Sequence, residues 1–149
     1  MKKPAGYEFF LETDILAGHL LHNKADEFSN LEMALILGRC FTSVINISEL
    51  YFAAGSKKQK SEIDNLVYGL TVLGIHSRYG LNISDFFDKV ATMRDALICS
   101  FVKNNKLPIL TDEKNRFNKS GLKIITSKEL RGIFDTRKSD WDSMVNKER

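Results

Sequence analysis

Six carboxylates in this chain stand where their spacing could do chemistry. Glu12 and Asp14 follow a short apolar run, Tyr7–Leu11, and Glu49 sits one helical turn beyond a second run, Phe41–Ile45. Asp112 and Glu113 follow a later run, Pro108–Thr111, and Asp95 lies on the helical stretch that leads into it. Each acid has an ordinary explanation on its own. Asp14 suits a helix cap, Glu12 and Glu49 suit helix starts, where the dipole favours acids, and Asp112 and Glu113 suit a turn. Asp95 suits pairing with Lys89 or Arg94. Their common place after apolar runs is what these separate explanations leave out. Carboxylates gathered that closely repel and raise one another's pKa. A hard cation removes the penalty, and Mg²⁺ or Mn²⁺ prefers oxygen ligands. Such a cluster suits metal-assisted phosphodiester hydrolysis, with two ions about 4 Å apart activating water and stabilising the leaving oxygen.

Convergence of these acids needs elements that end together. The strand candidates are Tyr7–Leu11, Phe41–Ile45, Thr71–Ile75, Pro108–Thr111 and Leu122–Thr126. Between them the spacing predicts helices over Ile15–Leu21 (capped by Thr13 or Asp14), Leu31–Leu37 (stopped by Gly38), Ile47–Ala54 and Ser61–Tyr68 (capped by Ser61). A longer helical stretch covers Ser84–Asn104, with Phe86, Phe87, Val90, Leu97 and Phe101 on one arc. Arg94 falls inside that arc, which points to a kink or restart near Thr92. Arg137–Arg149 reads as a polar tail or loose helix that Trp141 could anchor. Strands alternating with helices argue a parallel sheet covered on both faces. Ligands of such folds bind outside the carboxyl ends of the strands.

Four segments resemble PIN-domain ribonucleases, especially the VapC-type toxins of VapBC toxin–antitoxin pairs. Phe10-Leu11-Glu12-Thr13-Asp14-Ile15-Leu16 is similar to the family's L-D-T-[DN]-[IV]-L opening. Ser43-Val44-Ile45-Asn46-Ile47-Ser48-Glu49-Leu50 resembles its S-x(5)-E-L segment, and Arg94-Asp95-Ala96-Leu97-Ile98 its D-A-L-I helix. Thr111-Asp112-Glu113-Lys114-Asn115-Arg116-Phe117 resembles its T-x-[DN]-x(3)-F segment. The resemblance runs over about residues 7–127 in family order. It implies a three-layer α/β/α PIN-like domain over residues 1–135, with a mostly parallel central sheet of four to five strands, and a tail at 136–149. It also implies four catalytic acids at Glu12, Glu49, Asp95 and Glu113, with Asp112 as the alternative fourth. Asp14 takes the family's supporting Asp/Asn place, so that Glu12, Asp14, Glu49, Asp95, Asp112 and Glu113 make the expected metal set. Ser43 and Thr111 match small polar positions near the metal. The implied cofactor is Mg²⁺ or Mn²⁺. One departure stands out: the family has Asp at the first position and this chain has Glu12. An extra methylene moves the carboxylate by more than about 1 Å, and misplacement of that order can cost about 10²-fold in rate.

A nuclease needs positive charge beside its acids. Lys103 to Arg131 holds eight basic residues against three acids, a local charge of +5, whereas the whole chain carries +3. Lys114, Arg116 and Lys119 are the expected phosphate contacts. Lys57, Lys58 and Lys60 read as an exposed helix start, and Phe117 as a loop anchor. His19, His22 and His76 are scattered and receive no role. The apolar residues of Leu31–Leu37 exceed what one buried face needs, so they serve a core or a partner surface. The expectation is a metal-dependent endoribonuclease acting on RNA, a toxin that forms a homodimer and is blocked by an antitoxin. The alternative is a non-catalytic PIN-like module binding RNA or protein, because of Glu12. A phospho-acceptor receiver also gathers acids at strand ends, but Gly74-Ile75-His76-Ser77 supplies no Asp where the third strand ends.

The remaining composition narrows the class. At 149 residues, 43% hydrophobic and 28% charged, the chain is of ordinary one-domain globular make-up. Two prolines argue against a proline-rich disordered chain. Its longest pure apolar run, Met33–Leu37, is far short of the ~20 residues of a membrane helix. Lys2 and Lys3 are followed by Glu8 and Glu12, which break any signal-peptide core. A cytoplasmic protein without a membrane partner is expected. Cys40 and Cys99 lie far apart in apolar surroundings and read as buried thiols.

Overall fold

The computed structural model describes residues 6–147. Lys2, Lys3 and the last two residues of the expected tail lie outside them. Five strands form one sheet: β1 (Tyr7–Leu11), β2 (Gly38–Ser43), β3 (Thr71–Leu73), β4 (Ile109–Leu110) and β5 (Ile124–Ile125). Their order is β3-β2-β1-β4-β5, and every neighbouring pair is parallel. The helices are α1 (Thr13–Leu20), α2 (Asn30–Leu37), α3 (Val44–Ala53), α4 (Lys57–Val67), α5 (Ser77–Leu81), α6 (Met93–Asn105) and α7 (Ser127–Lys147). The expected three-layer architecture with a parallel sheet is therefore present, at its upper strand count.

The apolar pattern of β1 sets this arrangement. Phe9 and Leu11 face one cluster with residues of α1–α4 and α7, including Leu16, Met33, Leu50, Ile63 and Leu130. Phe10 faces the opposite cluster with Ile98, Phe101 and Val102 of α6, and with Ile109 and Phe117. All three β1 residues are fully buried. Burial of each such side chain contributes about 1.5–3 kcal/mol, so a strand apolar on both faces belongs in the middle of the sheet. The alternation continues in β4, where Leu110 joins the first cluster and Ile109 the second. Phe117 anchors its loop, as expected. Cys40 and Cys99 are buried free thiols, each pushed up to about 12, chiefly by burial.

Several boundaries differ from the sequence expectation, each for a local reason. β2 starts earlier and ends at Ser43, because Ser43 and Asn46 form a reciprocal capping box that starts α3 at Val44. The β-branched pair Val44-Ile45 is thus helical. Glu12, rather than Thr13 or Asp14, occupies the N-cap of α1. Ser56, not Ser61, caps α4, which places Lys57, Lys58 and Lys60 in its exposed first turns. The stretch expected as one helix over Ser84–Asn104 is broken. A 3₁₀ turn covers Asn82–Phe86 and α6 starts after the cap Thr92. The restart near Thr92 is thus observed, and Phe87 leaves the apolar arc at 85% exposed. Helix α7 runs unbroken across residues 135 and 136, and Trp141 is 66% exposed rather than packed on the body. Four of the six apolar residues of α2 enter the core, leaving Leu35 and Ile36 outward.

Gly38 pairs with Tyr7 at the start of β2, where no room is left for a side chain. A Cβ there would lie 1.8 Å from the carbonyl oxygen of Tyr7. That obstacle is backbone of the paired strand, so it cannot rotate away. We expect Gly38→Ala to cost about 1–3 kcal/mol by overpacking, read by urea unfolding. A change below about 0.5 kcal/mol would show that β1 and β2 separate easily there.

Candidate functional site

The strand order reverses beside β1: the chain passes to β2 and β3 on one side, then crosses to β4 and β5 on the other. Such a reversal opens a crevice at the carboxyl ends of the strands. Glu12 leaves β1 there, and Thr111, Asp112 and Glu113 leave β4. α3, which follows β2, brings Glu49. α6 leads into β4 from above, so its first turn brings Arg94 and Asp95. The helix dipole favours Asp95 at that end.

Glu12 is 1% exposed and Asp95 is 2% exposed. Buried charges need partners, and here the partners are guanidinium groups. Arg94 grips Glu12 bidentately, Nη1 to Oε2 at 2.7 Å and Nη2 to Oε1 at 2.9 Å. Its Nη2 also donates to Glu49 Oε1 at 2.7 Å, and its Nη1 to Asp95 Oδ1 at 3.0 Å. Arg116 donates to both oxygens of Asp95, at 2.5 and 3.1 Å, and to Glu113 at 2.5 Å. Burial pulls both guanidinium pKa values down, but the carboxylates outweigh it and hold both above the ordinary arginine range. For Arg94 the main counterweight is Glu12; for Arg116 it is Asp95. Both arginines stay charged at every pH the fold survives.

Asn46 completes the floor. It is fully buried, and its Nδ2 donates to Glu12 Oε1 at 2.6 Å and to Thr13 Oγ1 at 3.0 Å. Its Oδ1 accepts from the Ser43 hydroxyl at 2.5 Å, so Ser43 supports the site through Asn46. Thr13 donates to Glu49 at 3.0 Å.

The structure thus brings together Glu12, Glu49, Asp95 and Glu113, but around arginines. Asp14 and Asp112 stand apart from that cluster. Asp14 accepts from the Thr111 hydroxyl and from the Asp112 backbone, both at 2.9 Å. Asp112 accepts from the Ser127 backbone at 2.7 Å and from its hydroxyl, at the start of α7. Arg116, expected to hold a phosphate, faces inward onto Asp95 and Glu113. Lys114 and Lys119 are exposed. The carboxylates as placed do not fit a divalent ion. Among the described residues no group of three or more His, Cys, Asp or Glu side chains is arranged to hold a metal. None of their buried side-chain nitrogen or oxygen atoms lacks a hydrogen-bond partner.

No protein-family model matches the sequence, and no curated protein sequence matches it. Solved structures do match in fold. DNA-bound VapBC from Salmonella typhimurium aligns at TM-score 0.66 and 18% identity, covering 81% of this chain and 98% of that one. VapBC2 from Rickettsia felis, bound to a promoter DNA fragment, aligns at 0.61 and 20% identity over 80% of this chain and 98% of its own. PAE2754 from Pyrobaculum aerophilum aligns at 0.64 and 13% identity over 87% and 96%. The chain has the fold of a VapC-type PIN domain. Within that PIN fold, the acids occupy the crevice the topology creates.

Sequence reasoning offered Arg94 only as a partner of Asp95, a pair the structure shows, and missed its hold on Glu12 and Glu49; it missed Asn46 and Thr13 as members of the site. Arg94 left a trace, a charge inside an apolar arc. Asn46 left one too, three residues after a cap-competent Ser43. We expect Asn46→Ala to destabilise the fold by about 1–3 kcal/mol, because it strips a hydrogen bond from buried Glu12 and half of a capping box. Urea unfolding reads this; a loss below about 0.5 kcal/mol would mean that Arg94 alone satisfies Glu12.

Proposed function

We propose that this chain is a nuclease of the toxin–antitoxin type that hydrolyses RNA phosphodiester bonds. The observation that carries the reading is the convergence of Glu12, Glu49, Asp95 and Glu113 at the switch point of a PIN fold. Four carboxylates face two guanidinium groups there, so formal negative charge remains in excess. The reading calls for Mg²⁺ or Mn²⁺, the hard cations that carboxylate oxygens prefer. Lys114 and Lys119, beside Glu113, are the phosphate contacts it uses. The VapBC structures supply the reason to propose an antitoxin as the protein partner. A homodimer and a cytoplasmic setting belong to the same proposal; among the described residues no helix is long and apolar enough to cross a membrane.

One observation favours a second reading, a PIN-like module that binds without cutting. Both oxygens of Glu12 are already held by Arg94. Cleavage of a mixed RNA pool by the full chain, with Mn²⁺ or EDTA present, separates the two. The nuclease reading expects metal-dependent cleavage that Asp95→Asn lowers by at least about 10²-fold. Undiminished cleavage by Asp95→Asn would remove Asp95 from the site, and no cleavage by either chain would leave the binding module.

A further inference from the structure

We propose that Arg94 is the built-in counter-cation of the acid cluster, and that it competes with divalent metal for Glu12, Glu49 and Asp95. At 1% exposed, Glu12 has almost no access to water, so its charge needs a cation whenever the protein is folded. Arg94 supplies it with a bidentate grip, the strongest form of this pairing. The same guanidinium reaches Glu49 at 2.7 Å and Asp95 at 3.0 Å, so one group spans three of the four acids.

The position of Arg94 is otherwise unfavourable. It lies in the first turn of α6, where the positive end of the helix dipole disfavours a cation. The charge of Arg94 also acts against that of Arg116. Two like charges at a helix N-terminus are held together chiefly by the carboxylates, with the Thr13 hydroxyl accepting from Arg94 at 3.2 Å. Both oxygens of Glu12 already accept from Arg94, Oε2 from Nη1 and Oε1 from Nη2, and Oε1 accepts from Asn46 as well, so a metal ion on Glu12 would stand against the guanidinium charge. Arginine and metal therefore oppose each other at Glu12 by charge. Arg94 is one-fifth exposed, which gives its side chain a way out. The site as folded is expected to be indifferent to divalent metal.

The inference deepens the nuclease reading and rests on it for the identity of the metal. Its test contains no RNA, so absent cleavage and absent competition are separate results. The full chain is titrated with Mn²⁺ by electron paramagnetic resonance, and its thermal midpoint is compared in EDTA and in excess Mg²⁺. The wild-type chain is expected to bind Mn²⁺ weakly and to keep one midpoint in both buffers. Arg94→Met is expected to bind Mn²⁺ on the order of tenfold tighter or more, with a midpoint that rises in Mg²⁺. Arg94→Lys, which keeps the charge, should follow the wild type. A wild-type midpoint that rises in Mg²⁺, or an Arg94→Met chain with no gain in Mn²⁺ affinity, overturns the proposal. So does an Arg94→Lys chain that gains as much as Arg94→Met. If Arg94→Met folds in neither buffer, Arg94→Gln takes its place in both measurements with the same expected gain, and no gain in Mn²⁺ affinity overturns the proposal.

Discussion

A carboxylate with no access to water must have a cation within reach, and Glu12 places that demand at the centre of this molecule. It sits at the end of the central strand, in the crevice where the strand order reverses. Arg94 answers it from the first turn of α6, with Asn46 beneath. Glu49, Asp95, Glu113 and Arg116 then follow as links of one charge network. Breaking a buried pair by removing one member leaves an uncompensated charge, at a cost of about 3–5 kcal/mol. The network therefore ties α3, α6 and the loop after β4 to the end of β1. The strand carries the fold through its apolar faces and carries the site through the residue that follows it.

The charge distribution acquires a concrete meaning from this network. A net charge of +3 says little by itself. Arg94 and Arg116 are spent on the acids, while Lys114 and Lys119 are exposed. The basic segment after α6 thus has two parts, one neutralising the cluster and one facing solvent.

Much of the fold was legible because its signals are local. β1 declares itself by apolar residues on both faces, and every strand overlaps an expected apolar run, although β2 begins three residues before its own. The break before α6 was legible from Arg94, a charge that one continuous amphipathic helix would bury. The early start of α3 was not, since Val44 and Ile45 favour strand and only the Ser43–Asn46 box tips them to helix. Phe87 and Trp141 were misplaced because periodicity says which residues share a face, not whether anything covers it. Within the site, Glu12 and Glu113 were legible as residues that follow strands, and Glu49 and Asp95 as acids on the helices next to strands. Of their arginine partners, the neighbouring Arg94 of Asp95 was legible, but the long-range pairs were not, since Arg94 meets Glu12 across 82 positions and Arg116 meets Asp95 across 21. No local pattern encodes such pairings; they follow from the topology that brings α6 over the end of β1.

The dependence of this network on the Arg94–Glu12 pair is measured most directly by a double-mutant cycle. Urea unfolding of the wild type, Glu12→Gln, Arg94→Met and the double variant gives their coupling energy. A buried bidentate pair predicts coupling of about 2–4 kcal/mol, with the double variant more stable than Arg94→Met alone. Coupling below about 0.5 kcal/mol would contradict the account, because Glu12 would then be satisfied without Arg94.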